Sequence, residues 1–202
     1  MPMTISEQIS NYLKQFTVGI AGCGGLGSNC AIALARCGVG KLVIADFDIV
    51  TKQNLNRQYY FQDQIGRLKV HALRENIQRI DASVNVKAFD MKLCVSDIVE
   101  LFAGCHVIVE AFDKAEMKQM IIETVLMQMP GKYLVTGVGM AGWGKTDIIH
   151  ARRSDQLIIC GDEVSEVSEQ LPVLAPRVNV VANMQANEVL DILLADFKPA
   201  AF

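Results

Sequence analysis

The sequence lacks the features that mark membrane, secreted and nucleic-acid-binding proteins. No apolar run approaches the ~20 residues needed to cross a bilayer. The first 15 residues carry Lys14 as their only basic residue and no long apolar core, so no signal peptide is expected. The formal net charge of −3 favours neither nucleic acid nor an anionic membrane as a main partner. We therefore expect a cytoplasmic protein without nucleic-acid or membrane partners.

Cysteine pairs of the C-x-x-C type are also absent. The six cysteines occupy positions 23, 30, 37, 94, 105 and 160. Without such a pair, neither a thiolate-ligated zinc site nor a thioredoxin-like motif is expected, so no zinc is predicted. We interpret the cysteines as small buried side chains in a reducing compartment.

What the chain does have is the composition of a single α/β domain over residues 1–202, with 51% hydrophobic and 20% charged residues. Strands rich in Val and Ile alternate with helical stretches. The strands are predicted at 16–22, 41–46, 84–89, 106–110 and 132–138, and the helices at 6–15, 25–37, 67–80, 95–102 and 114–128. Because the strands are almost continuously apolar, this order predicts a doubly wound, Rossmann-like, mostly parallel sheet covered on both faces.

The pattern changes after Gly144. Residues 146–150 and 156–160 are predicted as short strands that form an antiparallel extension of the sheet, followed by an acidic loop over 161–176. From Arg177 onwards, apolar residues recur at helical spacing and predict a C-terminal helix packed on the sheet. Trp143 is interpreted as a packing residue in a turn.

The segment after the first predicted strand contains a glycine pattern typical of nucleotide sites. Gly22, Gly24 and Gly27 fit G-x-G-x-x-G, in which the first glycine permits a tight turn, the second lets a phosphate approach, and the third lets the helix pack closely. The next strand ends in Asp46, a carboxylate placed to accept hydrogen bonds from ribose hydroxyls. The polar run over 48–58 that follows is unusual for a dehydrogenase, and indicates a nucleotide site without hydride transfer.

Five ordered segments resemble the HesA/MoeB/ThiF family, which is related to the ubiquitin-activating enzymes, and the chain looks closest to the short ThiF-type proteins associated with the carrier ThiS. The segments are Gly-Cys-Gly-Gly-Leu-Gly-Ser at 22–28, Ala-Asp-Phe-Asp at 45–48, Asn-Leu-Asn-Arg-Gln at 54–58, Gly-Arg-Leu-Lys at 66–69 and Glu-Ala-Phe-Asp at 110–113. The resemblance spans roughly residues 16 to 125.

The resemblance implies ATP-dependent adenylation of the C-terminal glycine of a small ubiquitin-like sulfur carrier protein that ends in Gly-Gly. It further implies thiamin biosynthesis as the pathway and a homodimer as the assembly. A separate sulfur donor protein would receive the activated carrier. ATP and Mg2+ are the expected cofactors.

Adenylation of a carboxylate places growing negative charge on the phosphoryl oxygens, so cations should line the site. Arg57 offers a bidentate fork to phosphate and Lys69 a compact point charge. Asp113, at the end of a predicted strand, would hold Mg2+ on the β- and γ-phosphates, and it could also cap the next helix, a role that is compatible with metal binding.

The other expected nucleotide contacts come from the backbone, from neutral side chains and from Asp48. The backbone from Gly22 to Gly27, including Gly25, suits the phosphates. Asn54 and Gln58 could donate hydrogen bonds to phosphate, and the resemblance places Leu93 near the adenine. Asp48 is a further nucleotide-binding candidate, although it could instead cap the turn that leads to Asn54.

The chain also departs from the family pattern. Lys114 and Lys118 stand where the family usually has asparagine and arginine, and the two zinc-binding cysteine pairs of many members are missing. No cysteine follows Cys160, so no nucleophilic loop cysteine is expected. The first arginine is Arg36, so only Lys14 could replace the N-terminal arginine that dimeric relatives contribute to the neighbour's ATP. Two alternatives stay open: a non-catalytic nucleotide-binding partner module and an NAD-dependent oxidoreductase.

Overall fold

The computed structural model describes residues 3–200, which form seven β-strands and six α-helices. The strands are β1 (Thr17–Ala21), β2 (Lys41–Asp46), β3 (Asn85–Asp90), β4 (Val107–Glu110), β5 (Tyr133–Gly137), β6 (His150–Ser154) and β7 (Leu157–Gly161). The helices are α1 (Ile5–Leu13), α2 (Gly25–Cys37), α3 (Lys69–Ile80), α4 (Val95–Phe102), α5 (Ala115–Gln128) and α6 (Ala175–Leu193). Most predicted elements are confirmed, with ends that shift by a few residues at most.

One mixed sheet runs in the order β3-β2-β1-β4-β5-β7-β6, and only its β6–β7 pair is antiparallel. At the centre, Ala21 on β1 pairs with Ala45 on β2 and with Glu110 on β4. The chain moves outward from β1 to β3 before it returns to β4, so the strand order reverses between β1 and β4. Ligands of doubly wound sheets bind in the crevice at such a reversal. The predicted fold class is confirmed, including the antiparallel extension and the C-terminal helix.

Two hydrophobic cores cover the two faces of the sheet. Successive residues of β2 alternate between them, with Leu42 and Ile44 in one core and Val43 and Ala45 in the other. The first core also contains buried side chains of α2, α3 and α6, and the second contains those of α4 and α5. Burial on both faces explains why the strand sequences are almost continuously apolar. No helix within residues 3–200 has the length and apolar character that a membrane crossing requires.

The region after β5 differs from its prediction. The strand predicted at 146–150 is wrong, because Thr146–Ile148 form a 3-10 turn and β6 begins only at His150. Gly144 and Lys145, just before this turn, both have left-handed backbone, with φ of 62° and 47°, which prevents an extended start. The interpretation of Trp143 as a packing residue is also wrong, since its side chain is 65% exposed.

Candidate functional site

A cavity of about 640 Å3 opens at the carboxyl ends of the central strands. Its wall is built from the turns that follow β1, β2, β3, β4 and β5, together with parts of the loop over 162–174 and the first turn of α6. It therefore lies at the strand-order reversal, where the topology places a ligand. Of the predicted site residues, all except Gly27 and Asn54 line this cavity.

The glycine turn leaves one side of the cavity open. Gly22 has φ of 97°, and a Cβ there would lie 2.7 Å from the Ala111 carbonyl oxygen, so only glycine fits. Gly24 is the N-cap of α2 and provides no side-chain cap, which leaves N–H groups of the first turn without intrahelical acceptors. A Cβ on Gly24 would meet only Gln58 Nε2, at 3.8 Å. These groups form a positive helix end that faces open space.

Gly27 has a packing role instead. A Cβ on Gly27 would lie 2.9 Å from the carbonyl carbon of Gly22 and 3.2 Å from the Ala111 side chain. Its missing side chain allows α2 to sit directly against the turn, as expected for the third glycine of the pattern.

Asp46 is fixed at the end of β2 by two backbone donors. The Cys23 N–H donates to Oδ2 at 2.6 Å, and the Asp48 N–H donates to Oδ1 at 2.8 Å. Burial raises the pKa of Asp46 above its usual 3.8, and the positive charge of Lys69 is the strongest opposing influence. Each carboxylate oxygen keeps a free lone pair, so Asp46 can still accept hydrogen bonds from a ligand.

Lys69 is a buried cation with one acidic partner. The residue is 5% exposed, and its Nζ lies 2.7 Å from Asp48 Oδ2. Its backbone N–H also donates to the Asp48 carbonyl at 2.9 Å. Within the described chain, the Asp48 carboxylate pairs with Lys69 and does not cap the turn before Asn54. An anionic ligand could replace Asp48 as the partner of Lys69.

Arg57 and Gln58 enter the cavity from the turn after β2. The Arg57 side chain runs past Gly25, and its Nη1 donates to Asn56 Oδ1 at 2.8 Å. Gln58 Oε1 is buried and has no hydrogen-bond partner in residues 3–200. Asn54 lies behind this turn, where its Oδ1 accepts the Thr51 N–H at 2.9 Å. Asn54 therefore shapes the turn that presents the other two side chains.

Asp113 is exposed at the cavity edge after β4. It does not cap α5, because Lys114 is the N-cap residue and supplies no side-chain bond. Leu93, 4% exposed, forms an apolar part of the wall with Met91. Across residues 3–200, no group of three or more His, Cys, Asp or Glu side chains is arranged to hold a metal ion.

The sequence did not predict that a buried polar cluster at the ends of β4 and β5 belongs to the site. Glu110 is fully buried, and its Oε1 accepts the Phe112 N–H at 2.7 Å while its Oε2 accepts from Lys118 and Thr136. Lys118 Nζ also donates to the Gly137 carbonyl at 3.0 Å. The available signal was a carboxylate at the end of an otherwise apolar strand, which needs partners when buried.

Cys160 lies away from the cavity wall. It is fully buried on β7, and burial raises the pKa of its thiol to about 12. A thiol with so little thiolate at neutral pH is a poor nucleophile. The sequence-based expectation of a non-reactive Cys160 agrees with this environment.

The chain is similar to several adenylating proteins. It is 30% identical to "Adenylyltransferase and sulfurtransferase MOCS3" of Caenorhabditis briggsae, over 89% of this chain and 46% of the relative. It is 27% identical to the molybdopterin-synthase adenylyltransferase of Salmonella typhimurium, over 94% of this chain and 77% of that protein. The chain spans about half the length of the first of these relatives.

Among solved structures, the E. coli tRNA N6-threonylcarbamoyladenosine dehydratase, crystallised in complex with AMP, superposes with a TM-score of 0.83. The two chains are 19% identical, and the match covers 94% of this chain and 90% of the other. At that identity the likeness establishes a shared fold. The model of the ThiF family matches residues 2–201. This chain belongs to the ThiF family.

Proposed function

We propose that this protein is an ATP-dependent adenylyltransferase that acts on the C-terminal glycine of a small ubiquitin-like sulfur carrier protein ending in Gly-Gly. The observation that carries the proposal is one cavity that combines an uncapped helix N-terminus with Arg57, Lys69, Asp46 and Asp113. The names of the relatives, which pair adenylyltransferase with sulfurtransferase or molybdopterin synthase, support a carrier of this kind.

We expect ATP to lie along the cavity. Leu93 and Met91 supply apolar surface for the adenine, and Asp46 supplies acceptors for the ribose. The phosphates would lie over the glycine turn, where the free N–H groups of α2 and the Gln58 Nε2 amide could donate hydrogen bonds to them. N–H donors without a protein acceptor are normally satisfied by water or by a ligand.

The reaction needs charge stabilisation more than bond-making chemistry from the protein. A carrier carboxylate oxygen attacks the α-phosphorus, a new P–O bond forms, and the bond to pyrophosphate breaks. The products are carrier-COO-AMP and pyrophosphate. Arg57 would contact the phosphate oxygens with its fork, and Lys69 would exchange Asp48 for phosphate as negative charge grows.

Asp113 fits a magnesium site of the kind that Mg2+ forms with nucleotides. Mg2+ is usually held by one or two carboxylates together with substrate phosphates and water, and Asp113 is a single exposed carboxylate on the cavity edge. Bound there, Mg2+ would neutralise charge on the β- and γ-phosphates. No larger cluster of protein ligands is needed for this role.

We further propose that residues 1–202 act as one adenylation domain within a homodimer and pass the activated carrier to a separate sulfur donor. The burial of Cys160 supports the last point, since this thiol is unsuited to accept the carrier. Thiamin biosynthesis is our proposed pathway because of the resemblance to short ThiF-type proteins. A molybdopterin-type carrier is the alternative, and measuring pyrophosphate exchange with each carrier distinguishes the two.

Carrier-dependent exchange between pyrophosphate and ATP tests the proposal. With a Gly-Gly-ended carrier, Arg57→Ala and Lys69→Ala should each lower the exchange rate by roughly 100-fold or more, the scale for loss of a preorganised charge donor. Arg153→Ala is the matched control, because Arg153 lies on the outermost strand β6, pairs with Glu188 and Asp191 of α6, and is outside the cavity wall. Near-wild-type exchange in folded Arg57 and Lys69 variants would contradict the site assignment.

Two other outcomes would replace the proposal. A titration that shows tight NAD binding and weak ATP binding would favour an oxidoreductase. ATP binding without exchange, for ThiS-like and molybdopterin-type carriers alike, would favour a non-catalytic nucleotide-binding partner module.

A further inference from the structure

The cavity has a second wall on the β5 side, formed by residues 137–144 and 162–174. We refer to these two segments as the β5-side wall. Backbone and side-chain hydrogen bonds join them to each other: Asp162 N–H to Gly139 O at 3.0 Å, Glu163 N–H to Val138 O at 3.1 Å, Ala141 N–H to Ser165 Oγ at 3.1 Å, and Gly142 N–H to Pro172 O at 2.8 Å. Parts of both segments line the cavity.

The backbone of this wall is held in conformations that a free chain seldom adopts. Glu163 has φ of 58°, and Lys145, at the edge of the wall, has φ of 47°. Gly139, Gly142 and Gly144 also have positive φ, of 77°, 80° and 62° respectively. Left-handed backbone at non-glycine residues costs of order 1–3 kcal/mol each and persists only where the surroundings fix it. Something must therefore hold the wall in place.

A buried ion pair between Asp162 and Arg177 provides that restraint. Asp162 Oδ1 accepts the N–H groups of Val164 and Ser165 at 3.0 Å and 2.8 Å, and Oδ2 accepts from Arg177. Arg177 Nη1 also donates to the Gly144 carbonyl at 3.3 Å. One guanidinium, in the first turn of α6, thus contacts both segments of the wall.

Stability alone is a weak reason for this pair. Both side chains are more than nine-tenths buried, and Arg177 Nε has no hydrogen-bond partner in the described chain. Buried pairs often contribute no more than well-packed apolar residues of similar volume, because desolvation offsets the attraction. The next residue, Val178, lines the cavity and lies against Gly25, so α6 brings the pair to the edge of the cavity.

We propose that Asp162 and Arg177 are positioning residues that hold the β5-side wall in the shape that receives the carboxyl substrate, and that neither takes part in ATP binding. The identity of this second substrate rests on the proposed function. The cations suited to phosphate, Arg57 and Lys69, follow β2 on the other side of the strand-order reversal. The β5 side is left for the acceptor, whose carboxylate must approach the α-phosphate.

The test compares variants that weaken the pair with a control. Arg177→Lys keeps the charge and loses the fork, while the double variant Asp162→Asn with Arg177→Met removes both charges, so that no buried charge is left unpaired. Arg153→Lys is the control, since Arg153 forms ion pairs at the surface with Glu188 and with Asp191, the latter at 2.6 Å. Each protein is assayed for ATP binding by calorimetry, for backbone hydrogen exchange by mass spectrometry, and for carrier-dependent pyrophosphate exchange.

In both test variants we expect the dissociation constant for ATP within about two-fold of the wild-type value, together with amide exchange at least ten-fold faster in the β5-side wall and unchanged in the glycine turn. With a Gly-Gly-ended carrier, the KM for the carrier should rise at least ten-fold while the KM for ATP is unchanged. The control should match the wild-type protein throughout.

Unchanged amide exchange in the β5-side wall of the double variant would overturn the proposal, as would an equal loss of ATP and carrier affinity. A general loss of thermal stability without local opening of the wall would also overturn it, because the pair would then be only structural. Failure of the wild-type protein to support any carrier-dependent exchange would instead count against the proposed function, and the amide-exchange result would still decide whether the pair holds the wall.

Discussion

Replacing Gly24 with alanine should abolish nucleotide binding while leaving the fold intact. The added methyl group would meet only Gln58 Nε2, at 3.8 Å, which is ordinary contact, so it would project into the cavity where phosphate is proposed to lie. Alanine is a poorer N-cap than glycine by less than about 1 kcal/mol, which lowers Tm by at most about 4 °C in a chain of this size.

Replacing Gly27 with alanine, three residues further on, should have the opposite effect. Its Cβ would lie 2.9 Å from the Gly22 carbonyl carbon and closer still to the oxygen, so α2 would have to move away from the turn. Overpacking of this kind costs about 1–3 kcal/mol, equivalent to a fall in Tm of roughly 2–12 °C. The two substitutions are chemically identical, so they separate the packing glycine from the glycine that admits the ligand.

Thermal unfolding with and without MgATP measures both effects. At 100 times its dissociation constant, ATP should stabilise the wild-type protein by about 2.7 kcal/mol, which raises Tm by about 5–10 °C. We expect the Gly24 variant to keep its ligand-free Tm within about 4 °C and to lose the ATP-induced increase, and the Gly27 variant to have a lower ligand-free Tm. A full ATP-induced increase in the Gly24 variant, or an unaltered Tm in the Gly27 variant, would refute the reasoning.

Three further predictions concern titratable groups. Burial raises the pKa of Asp46 and Lys69 opposes that rise, so ATP affinity should fall as pH drops through the raised pKa. In calorimetric titrations, Lys69→Met should move this fall in affinity to higher pH. If Asp46→Asn loses ATP affinity at the same acidic pH as the wild-type protein, Asp46 is not the cause. The buried thiol of Cys160, with a pKa of about 12, should resist iodoacetamide at neutral pH, while the exposed Cys94 should react. Equal labelling of the two cysteines in peptide mapping would contradict this prediction. Burial raises the pKa of Asp162, but hydrogen bonds from backbone N–H groups and the nearby guanidinium outweigh this effect, so the pKa is lowered. The contribution of Asp162 to the free energy of unfolding is therefore present above about pH 4 and is lost as pH falls through the lowered pKa. In denaturant titrations, Asp162→Asn should lose less stability in acid than the wild-type protein does.

The fold could be predicted from the sequence because its signals are local. Apolar strands such as Lys41–Asp46 and a helix such as Gly25–Cys37 follow from period and composition within their own segments. The loop over 138–149 could not be predicted in this way. Its shape depends on left-handed backbone at Gly144 and Lys145, and on contacts between segments that are distant in sequence. These contacts leave no local period, which is why a strand was predicted where a 3-10 turn forms.

The candidate site was likewise predictable only in part. The glycine turn and Asp46 lie at the ends of neighbouring parallel strands, and the sequence predicts their convergence because parallel strands end at one edge of the sheet. Lys69, the first residue of α3, is predicted at the site only through the resemblance to the family. The pairing of Lys69 with Asp48 was not predicted, since the distance between two side chains depends on the path of the intervening turn. The role of Arg177 was missed for the same reason: its partner Asp162 precedes it by a loop without regular structure.

Direct detection of the adenylated carrier tests the central claim most sharply. The wild-type protein, a Gly-Gly-ended carrier and ATP labelled in the α-phosphate would be mixed with inorganic pyrophosphatase, and the intact carrier would be analysed by mass spectrometry and for bound label. We predict one AMP on the C-terminal glycine of the carrier, no adduct on a carrier that lacks this glycine, and none with Arg57→Ala or Lys69→Ala. ATP bound in the cavity, but with no labelled carrier from either ThiS-like or molybdopterin-type partners, would contradict the account.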